Sequence, residues 1–528
     1  MKISLRWPSL AFLLSFFFSA CDDEKVTPPD TAAPEITINE FGEFVKGTIP
    51  VTISATDNIE IASIALSING TEVATSQAGE LNYSWDTKTL EDGIAKLQVS
   101  VADKSGNEAV KDIDVNIMNY FFRFNVGSGY AASDDSYHLY ISDYDGNILG
   151  TIDLETEGEI KVPTPDNYVF GSPVALNSYA TTGKSVAVIS ILDCFPGNYN
   201  VNRSSTGSAV TIVGEHDIKL TGVEEYERPM LRISGRNIPN STQDNPVDGG
   251  YQAKLTSETS DLFFSLVDAG YQATLKPRFA YLESASVGEV SEFALETLTE
   301  PNQKNYSLGF TANSVLAITY ATLENNQRLK LFHHSQLDAA DAFNMYYPGD
   351  LFDQYRFFYN MHVGDLEYTS QYDAAVPNPT LDFLTIEMTE SSYVNGELNL
   401  QYTGTCDNVV ASGFKIFQNS GQNAYYITNV YAPGNLPVSF KIATPPENLL
   451  FSDQLPAVNE LVFDLLIFED YEDVSEYRTL IPGFLDASLW HDGGYTAKAF
   501  WNDINTKKSS FSPDNSFKIN ERKLLTSF

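Results

Sequence analysis

The densest group of aromatic side chains beside polar ones in this 528-residue sequence lies near its C-terminal end. It consists of Trp490, His491, Asp492, Tyr495 and Trp501. Sugars present apolar faces and hydroxyl groups, so their binding sites combine aromatic rings with carboxylates and amides. We therefore take Trp490, Tyr495 and Trp501 as candidate ligand-binding residues, with packing in a hydrophobic core as the competing interpretation.

Tyr425 and Tyr426 form a second group of rings. Consecutive residues of a β-strand point to opposite faces, so one of these rings faces outward if the segment is a strand. The pair is a further candidate for ligand binding, again with core packing as the alternative.

Two acidic segments raise the question of calcium. Asp143, Asp145 and Asn147 have the one, three, five spacing of an EF-hand loop, but Ile148 stands where the loop needs Gly and Leu154 where it needs a bidentate Glu. A hairpin turn is the favoured interpretation of this segment.

The second acidic segment contains Glu469, Asp470, Glu472 and Asp473. Their carboxylates could chelate a hard cation, although charged runs in loops are usually solvated. No cofactor is predicted for the chain, and calcium is left open at this segment.

The sequence contains no recognisable enzyme motif. His333 and His334 are neighbours, and neighbours on a strand point to opposite faces, so they cannot both bind one ion there. The zinc motif HExxH, paired CxxC motifs, the GxSxG elbow and the phosphate-binding loop are all absent from the sequence. A carboxylate pair of a glycosidase is defined by its separation in space, so 70 acidic residues make any chosen pair uninformative.

The net charge excludes some classes of binding partner, and the positions of the cysteines bear on whether they form a disulfide. A formal net charge of −38 argues against binding to nucleic acid or to an anionic membrane surface. Cys194 and Cys406 lie in segments that we assign to different domains, which favours two buried free thiols over a disulfide.

The N-terminus has the features of a secretory leader. Lys2 and Arg6 precede an apolar run, Leu10–Phe18, and small residues come directly before Cys21. This arrangement resembles the bacterial lipoprotein signal, which implies that residues 1–20 are removed and that Cys21 is lipidated. Phe18 departs from the family, which usually places Leu there, and an ordinary cleaved signal peptide is the alternative.

The residues after Cys21 predict where the protein resides. Asp22, Asp23 and Glu24 resemble the surface-export signal of Bacteroidetes lipoproteins, which implies an outer-membrane protein that faces the cell exterior. In proteobacteria an aspartate there would instead indicate retention at the inner membrane. Residues 21–33 contain Pro28 and Pro29 and are predicted to form a flexible tether.

Residues 34–118 alternate apolar and polar side chains in short runs, which predicts half-buried strands. Asn69-Gly70 and Asp92-Gly93 supply residues that tolerate positive φ where hairpins reverse. Seven or so strands in about 85 residues is the count of an immunoglobulin-like sandwich.

Particular motifs make this interpretation specific. They are Ala55-Thr56-Asp57-Asn58, Tyr83-Ser84-Trp85-Asp86-Thr87 and Ala102-Asp103-Lys104-Ser105-Gly106-Asn107. They resemble the bacterial immunoglobulin-like modules of extracellular enzymes and adhesins. The resemblance implies that Trp85 is a core residue and that the module is a spacer or adhesive unit without chemistry of its own.

The remainder of the chain continues the β pattern, so the predicted fold class is all-β. Composition shifts place β-sandwich domains at residues 119–240, 241–376 and 377–528. The resulting functional prediction is a lipid-anchored extracellular protein that is noncatalytic and acts in binding or adhesion, with a glycan or a surface protein as partner. A polysaccharide-processing enzyme and a purely structural surface stalk are the alternatives.

Overall fold

The protein is all-β, as predicted, and is described from a computed structural model. The strands are joined by short 3₁₀ turns at Thr87–Thr89, Leu295–Thr297, Gly349–Leu351 and Val458–Glu460. No helix within the described residues is long and apolar enough to cross a membrane. The chain divides into two compact units, with the division between Asn119 and Tyr120. The described residues are 29–127, 137–153, 158–182, 185–201, 211–224, 226, 228–236, 238–243, 250–268, 275–323, 328–336, 338–419, 421–435, 437–447, 455–472, 474, 477, 480 and 495–501.

The first unit is a sandwich of two antiparallel sheets. One sheet has the order β1-β2-β5 and the other has the order β4-β3-β6-β7. Its strands are β1 (Glu35–Ile38), β2 (Thr48–Thr56), β3 (Ile61–Ile68), β4 (Thr71–Ser76), β5 (Glu80–Asp86), β6 (Gly93–Asp103) and β7 (Glu108–Ile117).

The core of this sandwich follows from the alternation in its sequence. Val51, Leu66 and Leu97 come from three different strands and are fully buried between the sheets. Trp85 keeps only 2% of its surface exposed, which confirms its prediction as a core residue. The β3–β4 hairpin reverses through Asn69, whose φ is 48°, and the glycine that follows it.

The second unit consists of packed sheets formed by the remaining strands. They are β8 (Tyr120–Val126), β9 (Tyr137–Asp143), β10 (Ile148–Asp153), β11 (Gly158–Pro163), β12 (Val174–Thr182), β13 (Ser185–Cys194), β14 (Gly197–Val201), β15 (Gly214–Thr221), β16 (Pro229–Gly235), β17 (Ile238–Gln243), β18 (Gly250–Leu255), β19 (Thr259–Asp268), β20 (Arg278–Ser286), β21 (Val290–Ala294), β22 (Asn302–Ala312), β23 (Ser314–Thr322), β24 (Arg328–Gln336), β25 (Ala340–Tyr347), β26 (Tyr355–Val363), β27 (Leu366–Ala374), β28 (Glu387–Val394), β29 (Glu397–Thr403), β30 (Asn408–Asn419), β31 (Gln422–Pro433), β32 (Val438–Lys441), β33 (Val462–Tyr471) and β34 (Tyr495–Trp501).

A long sheet of twelve strands dominates this unit. Its order is β10-β9-β12-β13-β31-β30-β33-β34-β27-β26-β23-β24. One of its faces carries Tyr426, Phe463 and Phe468, which pack with Leu398 and Phe440 of the small sheet β28-β29-β32. Further along the same face, a second core contains residues of the two-stranded sheet β22-β25. The long sheet is therefore one layer of a sandwich whose other layer is made of smaller sheets.

A third core lies between the sheets β18-β15-β21 and β17-β16-β19-β20. Ile218 and Leu231 contribute to it from before residue 240, and Tyr251 and Phe264 from after it. The boundary predicted near residue 240 thus falls inside a packed core.

The segment that follows the boundary predicted near residue 376, residues 378–386, crosses the face of the long sheet. Two tyrosine hydroxyls and one lysine ammonium group donate hydrogen bonds to its backbone carbonyl oxygens. These bonds run from Tyr306 Oη to Asn378 O (2.6 Å), from Tyr359 Oη to Asp382 O (2.5 Å) and from Lys498 Nζ to Ile386 O (2.6 Å). The division of residues 119–528 into three domains stays a prediction.

Both described cysteines, Cys194 and Cys406, are buried free thiols, as the sequence favoured. Burial raises the pKa of each thiol to about 12. Since the thiolate is the reactive form, neither cysteine is suited to redox chemistry at neutral pH.

Candidate functional site

The face of the long sheet opposite its hydrophobic cores carries an array of polar side chains, and we call it the polar face. The alternation within β30 explains why it forms: Val409 and Ala411 enter the core, so Asn408 and Ser412 point to the other side. The polar face is defined by Asn360, Glu367, Thr369, Asn408, Ser412, Asn429 and Glu469.

One half of the polar face is organised around the carboxylate of Glu469. The side chain is 1% exposed and accepts hydrogen bonds from Asn408 Nδ2 (2.8 Å) and Tyr471 Oη (3.0 Å). Asn408 lies directly opposite Glu469 in the β30–β33 ladder. Its amide oxygen, Oδ1, is buried and has no hydrogen-bond partner within the described part of the chain. A buried acceptor of this kind costs about 1–3 kcal/mol, which a donor from a ligand or a water molecule would offset.

The other half is organised around Glu367, which is 2% exposed. Asn360 Nδ2 donates to Glu367 Oε1 (2.5 Å) and to Thr369 Oγ1 (2.8 Å). Each half of the face therefore pairs a buried carboxylate with an asparagine amide on the adjacent strand.

Strand β34 runs between these two halves. Ala497 lies opposite Thr369 on one side and Glu469 on the other, so a small side chain separates the two polar groups. Tyr495 is in register with Tyr471, and Trp501 is in register with Leu465. Two of the three predicted binding residues thus belong to the strand at the centre of the face. The side chains of Tyr495 and Trp501, and the whole of Trp490, lie outside the described part of the structure.

At one end, the polar face gives way to accessible apolar side chains, and we call this its open end. Tyr425 and Phe414 are half-buried there, and Ile416 keeps 44% of its surface exposed. Ser412 Oγ donates to Asn429 Oδ1 (2.7 Å) next to them. Tyr426 is fully buried in the core below, so the expected split between the two neighbouring tyrosines is confirmed.

The other sequence candidates do not converge on a site. Asn147 Nδ2 donates to Asp143 Oδ2 (2.8 Å) in the turn between β9 and β10, as expected for a hairpin. Glu469 is buried on the polar face, whereas Asp470 is exposed and hydrogen-bonds to Asp407. Because neighbours on a strand alternate, these two carboxylates cannot hold one cation, and Asp473 is outside the described residues.

The two adjacent histidines also have separate surroundings. His333 Nδ1 accepts a hydrogen bond from Arg232, and the ring of His334 lies 5.9 Å from that of Tyr346. The two rings therefore contact different side chains.

In the first unit, a carboxylate cluster joins the tether to the sandwich. Single carboxylate oxygens of Asp30, Asp57 and Asp103 lie within 4.8 Å of one another. Asn107 Nδ2 donates to Asp103 Oδ2 (2.8 Å) and Asp30 Oδ2 (3.1 Å), and Asn58 Nδ2 donates to Asp30 Oδ1 (2.9 Å). The motif residues singled out in the sequence therefore bind the end of the tether, a role that their spacing alone did not reveal.

We expect this network to make the stability of the first unit depend on pH. Burial acts to raise the pKa of Asp103, but hydrogen bonds from Asn107 outweigh it and hold that pKa below its ordinary value. A carboxyl whose pKa is lowered by folding stabilises the fold above its unfolded pKa of about 3.9. We expect the unfolding temperature of the first unit to fall as the pH drops through this range, measured by scanning calorimetry. Asp103→Asn should flatten that dependence, and an unchanged profile would contradict the assignment.

The first unit, with its two sheets and buried Trp85, is also similar in sequence to a known domain family. Residues 34–99 match the family model of the bacterial Ig domain. This supports the immunoglobulin-like module predicted from the sequence. No curated protein matches the chain.

Solved structures show only distant similarity. A structure on the promiscuous specificity of carbohydrate-binding modules from the β-sandwich superfamily has 11% identity and a TM-score of 0.17, covering 60% of this chain and 97% of that one. The Bacteroides ovatus protein SGBP-B of a mixed-linkage glucan utilization locus, in complex with a heptasaccharide, has 11% identity and a TM-score of 0.16, covering 61% and 93%. A tetra-tandem repeat from the extending region of a large adhesion protein has 13% identity and a TM-score of 0.15, covering 83% and 94%. Similarity at this level does not assign a function.

Proposed function

We propose that the protein is a noncatalytic, lipid-anchored surface protein that binds a glycan at the open end of its polar face. The observation that supports this most directly is the juxtaposition on one sheet of accessible apolar side chains with an amide and a hydroxyl group. Tyr425, Phe414 and Ile416 offer an apolar surface, and Ser412 and Asn429 lie beside it.

This combination suits the chemistry of a sugar. The apolar face of a pyranose packs on an aromatic ring, and its hydroxyls both donate and accept hydrogen bonds. Amide groups and serine hydroxyls supply both donors and acceptors.

Tyr425→Ala should weaken glycan binding about tenfold, as expected when an anchoring ring is truncated. Affinity gel electrophoresis through mixed-linkage glucan, xylan, galactomannan and mucin provides the measurement. Phe170→Ala is the matched control, because Phe170 is an aromatic ring of the same unit with 40% of its surface exposed. If no polysaccharide retards the wild-type protein, or both variants behave alike, glycan binding at this face is wrong and the structural stalk is favoured.

Two acidic residues on one face, Glu367 and Glu469, are the feature that an enzyme would use. A glycosidase needs one protonated carboxyl as its acid. Here each carboxylate accepts a hydrogen bond from an asparagine amide, and Glu367 and Glu469 are only 2% and 1% exposed, so a substrate does not reach either group. This supports a binding role over hydrolysis.

The anchor is part of the proposal and has its own test. The leader before Cys21 and the acidic residues after it motivate lipidation and display on the outer membrane. One acyl chain holds a protein only marginally and several give stable anchoring, so Cys21→Ser should release the protein from the membrane fraction. Protease treatment of intact cells should digest the wild-type protein. Unchanged fractionation of the variant, or resistance of the wild type on intact cells, would refute anchoring or surface exposure, respectively.

A further inference from the structure

A β-bulge interrupts β24, which forms one edge of the long sheet. Thr319 pairs with Phe332 and the next residue, Tyr320, pairs with Lys330, so Leu331 is the extra residue. A bulge resets the alternation of side chains along a strand. Leu331 and Phe332 are both buried in the same core. As a result, Lys330 and His333, which regular alternation would place on opposite faces, are both half-buried away from that core.

The neighbouring sheet β17-β16-β19-β20 holds this bulge in place. Ser234 Oγ of β16 donates to Lys330 O (2.8 Å), and Ser265 Oγ of β19 donates to Leu331 O (2.9 Å). Backbone carbonyls at an edge strand otherwise lack a partner strand on that side. Two serine hydroxyls therefore fix the backbone from which Lys330 projects.

Arg232, also on β16, completes a cluster with Lys330 and His333. Its Nη1 lies 2.5 Å from His333 Nδ1 and donates to it, so the proton of a neutral His333 resides on Nε2. Burial, and then the charges of Arg232 and Lys330, lower the pKa of His333 to about 3, which keeps the ring neutral near pH 7. Arginine and lysine side chains have no acceptor atoms. Apart from His333 Nδ1, which already accepts from Arg232, the polar groups of the three side chains can therefore act only as hydrogen-bond donors.

The positive charge of the cluster also favours an anionic ligand. Burial and the positive charge of Arg232 lower the pKa of Lys330, so folding brings two cationic groups together at a cost. Within the residues that the structure describes, Lys330 makes no ion pair, although the chain contains 70 acidic residues. A bound anion with acceptor atoms would offset both the repulsion and the desolvation.

We infer that Arg232, Lys330 and His333 form a binding site for an oxyanion, namely the carboxylate or sulfate group of an acidic ligand. The guanidinium and ammonium groups would donate charge-assisted hydrogen bonds to the oxyanion, and His333 Nε2–H a third bond. Lys330 and His333 lie on β24 at the edge of the long sheet, and five strands separate β24 from β30, which carries the open end with β31. The site is therefore independent of the proposed glycan binding.

The test uses the full mature chain, with sodium sulfate and sodium glucuronate as probes and glucose as the neutral control. Binding is measured by isothermal titration calorimetry. Both anions should bind and glucose should not. Lys330→Gln and Arg232→Gln should each weaken anion binding about tenfold or more. Lys276→Gln removes the same charge from an exposed lysine whose ammonium lies 4.0 Å from Glu300, and it should leave affinity unchanged.

Acetylation of the wild-type protein gives a second readout that does not depend on a variant folding. Sulfate should slow the acetylation of Lys330, measured by peptide mass spectrometry, and should not protect Lys276. Binding of sulfate without glucuronate would support the site and identify a free inorganic anion as its ligand. The inference is overturned if neither anion binds the wild type, if Lys330→Gln keeps wild-type affinity, or if sulfate protects both lysines equally.

Discussion

Trp85→Ala is expected to lower the free energy of unfolding of the immunoglobulin-like module by about 3–5 kcal/mol. Trp85 is 2% exposed and packs in the core that contains Val51, Leu66 and Leu97. Truncation removes the apolar area of an indole and leaves a cavity that two hydrogen-bonded sheets cannot collapse to fill. Scanning calorimetry of the mature protein should show the transition of this module at a lower temperature.

The second unit provides the internal reference for this measurement. Its cores contain no residue of the module, so its own transition should stay within about 1 °C of the wild type, since distant sites behave independently. Val110→Ala is a suitable surface control because Val110 is 60% exposed on the same module. A Trp85→Ala variant that unfolds like this control would show that the indole is not a core residue.

The module was predictable because its information is local. Period-two alternation and turn residues such as Asn69 define each strand, and the burial of Trp85 follows from the sandwich that those strands form. The second unit depends on pairings that no local pattern encodes. Val186 of β13 lies parallel to Tyr426 of β31, so residues far apart in the sequence are neighbours in one sheet.

The candidate sites were also predictable only where they depend on local alternation. Alternation predicted that one of the adjacent tyrosines faces outward, and Tyr425 does. The pairing of Asn360 with Glu367 depends on the register between β26 and β27, and the cluster at Lys330 depends on one extra residue in β24. A shift of one residue in either register would move these side chains to the opposite face. Neither site can therefore be predicted from the local sequence pattern.

Asn408→Asp is the second substitution for which we expect a large effect. It replaces the amide that donates to Glu469 with a carboxylate of the same shape, at a position where Asn408 is 0% and Glu469 is 1% exposed. An uncompensated buried charge costs about 3–5 kcal/mol, so the free energy of unfolding of the second unit should fall by about that amount at pH 7. Sharing of one proton between the two carboxyls would raise the pKa of the pair in the folded state. The stability of the variant should therefore recover in part as the pH is lowered toward about 5, which is the opposite of the dependence expected for Asp103.

The double variant Asn408→Asp/Glu469→Gln separates charge from shape. It restores one carboxylate facing one amide across the β30–β33 ladder, with the two groups exchanged. We expect it to regain most of the stability lost in Asn408→Asp, and urea unfolding at pH 7 gives the coupling between the two positions. A strictly additive loss in the double variant would mean that Asn408 and Glu469 do not act as a hydrogen-bonded pair. Rescue would show that the buried polar face is stabilised by matched donors and acceptors and not by packing alone.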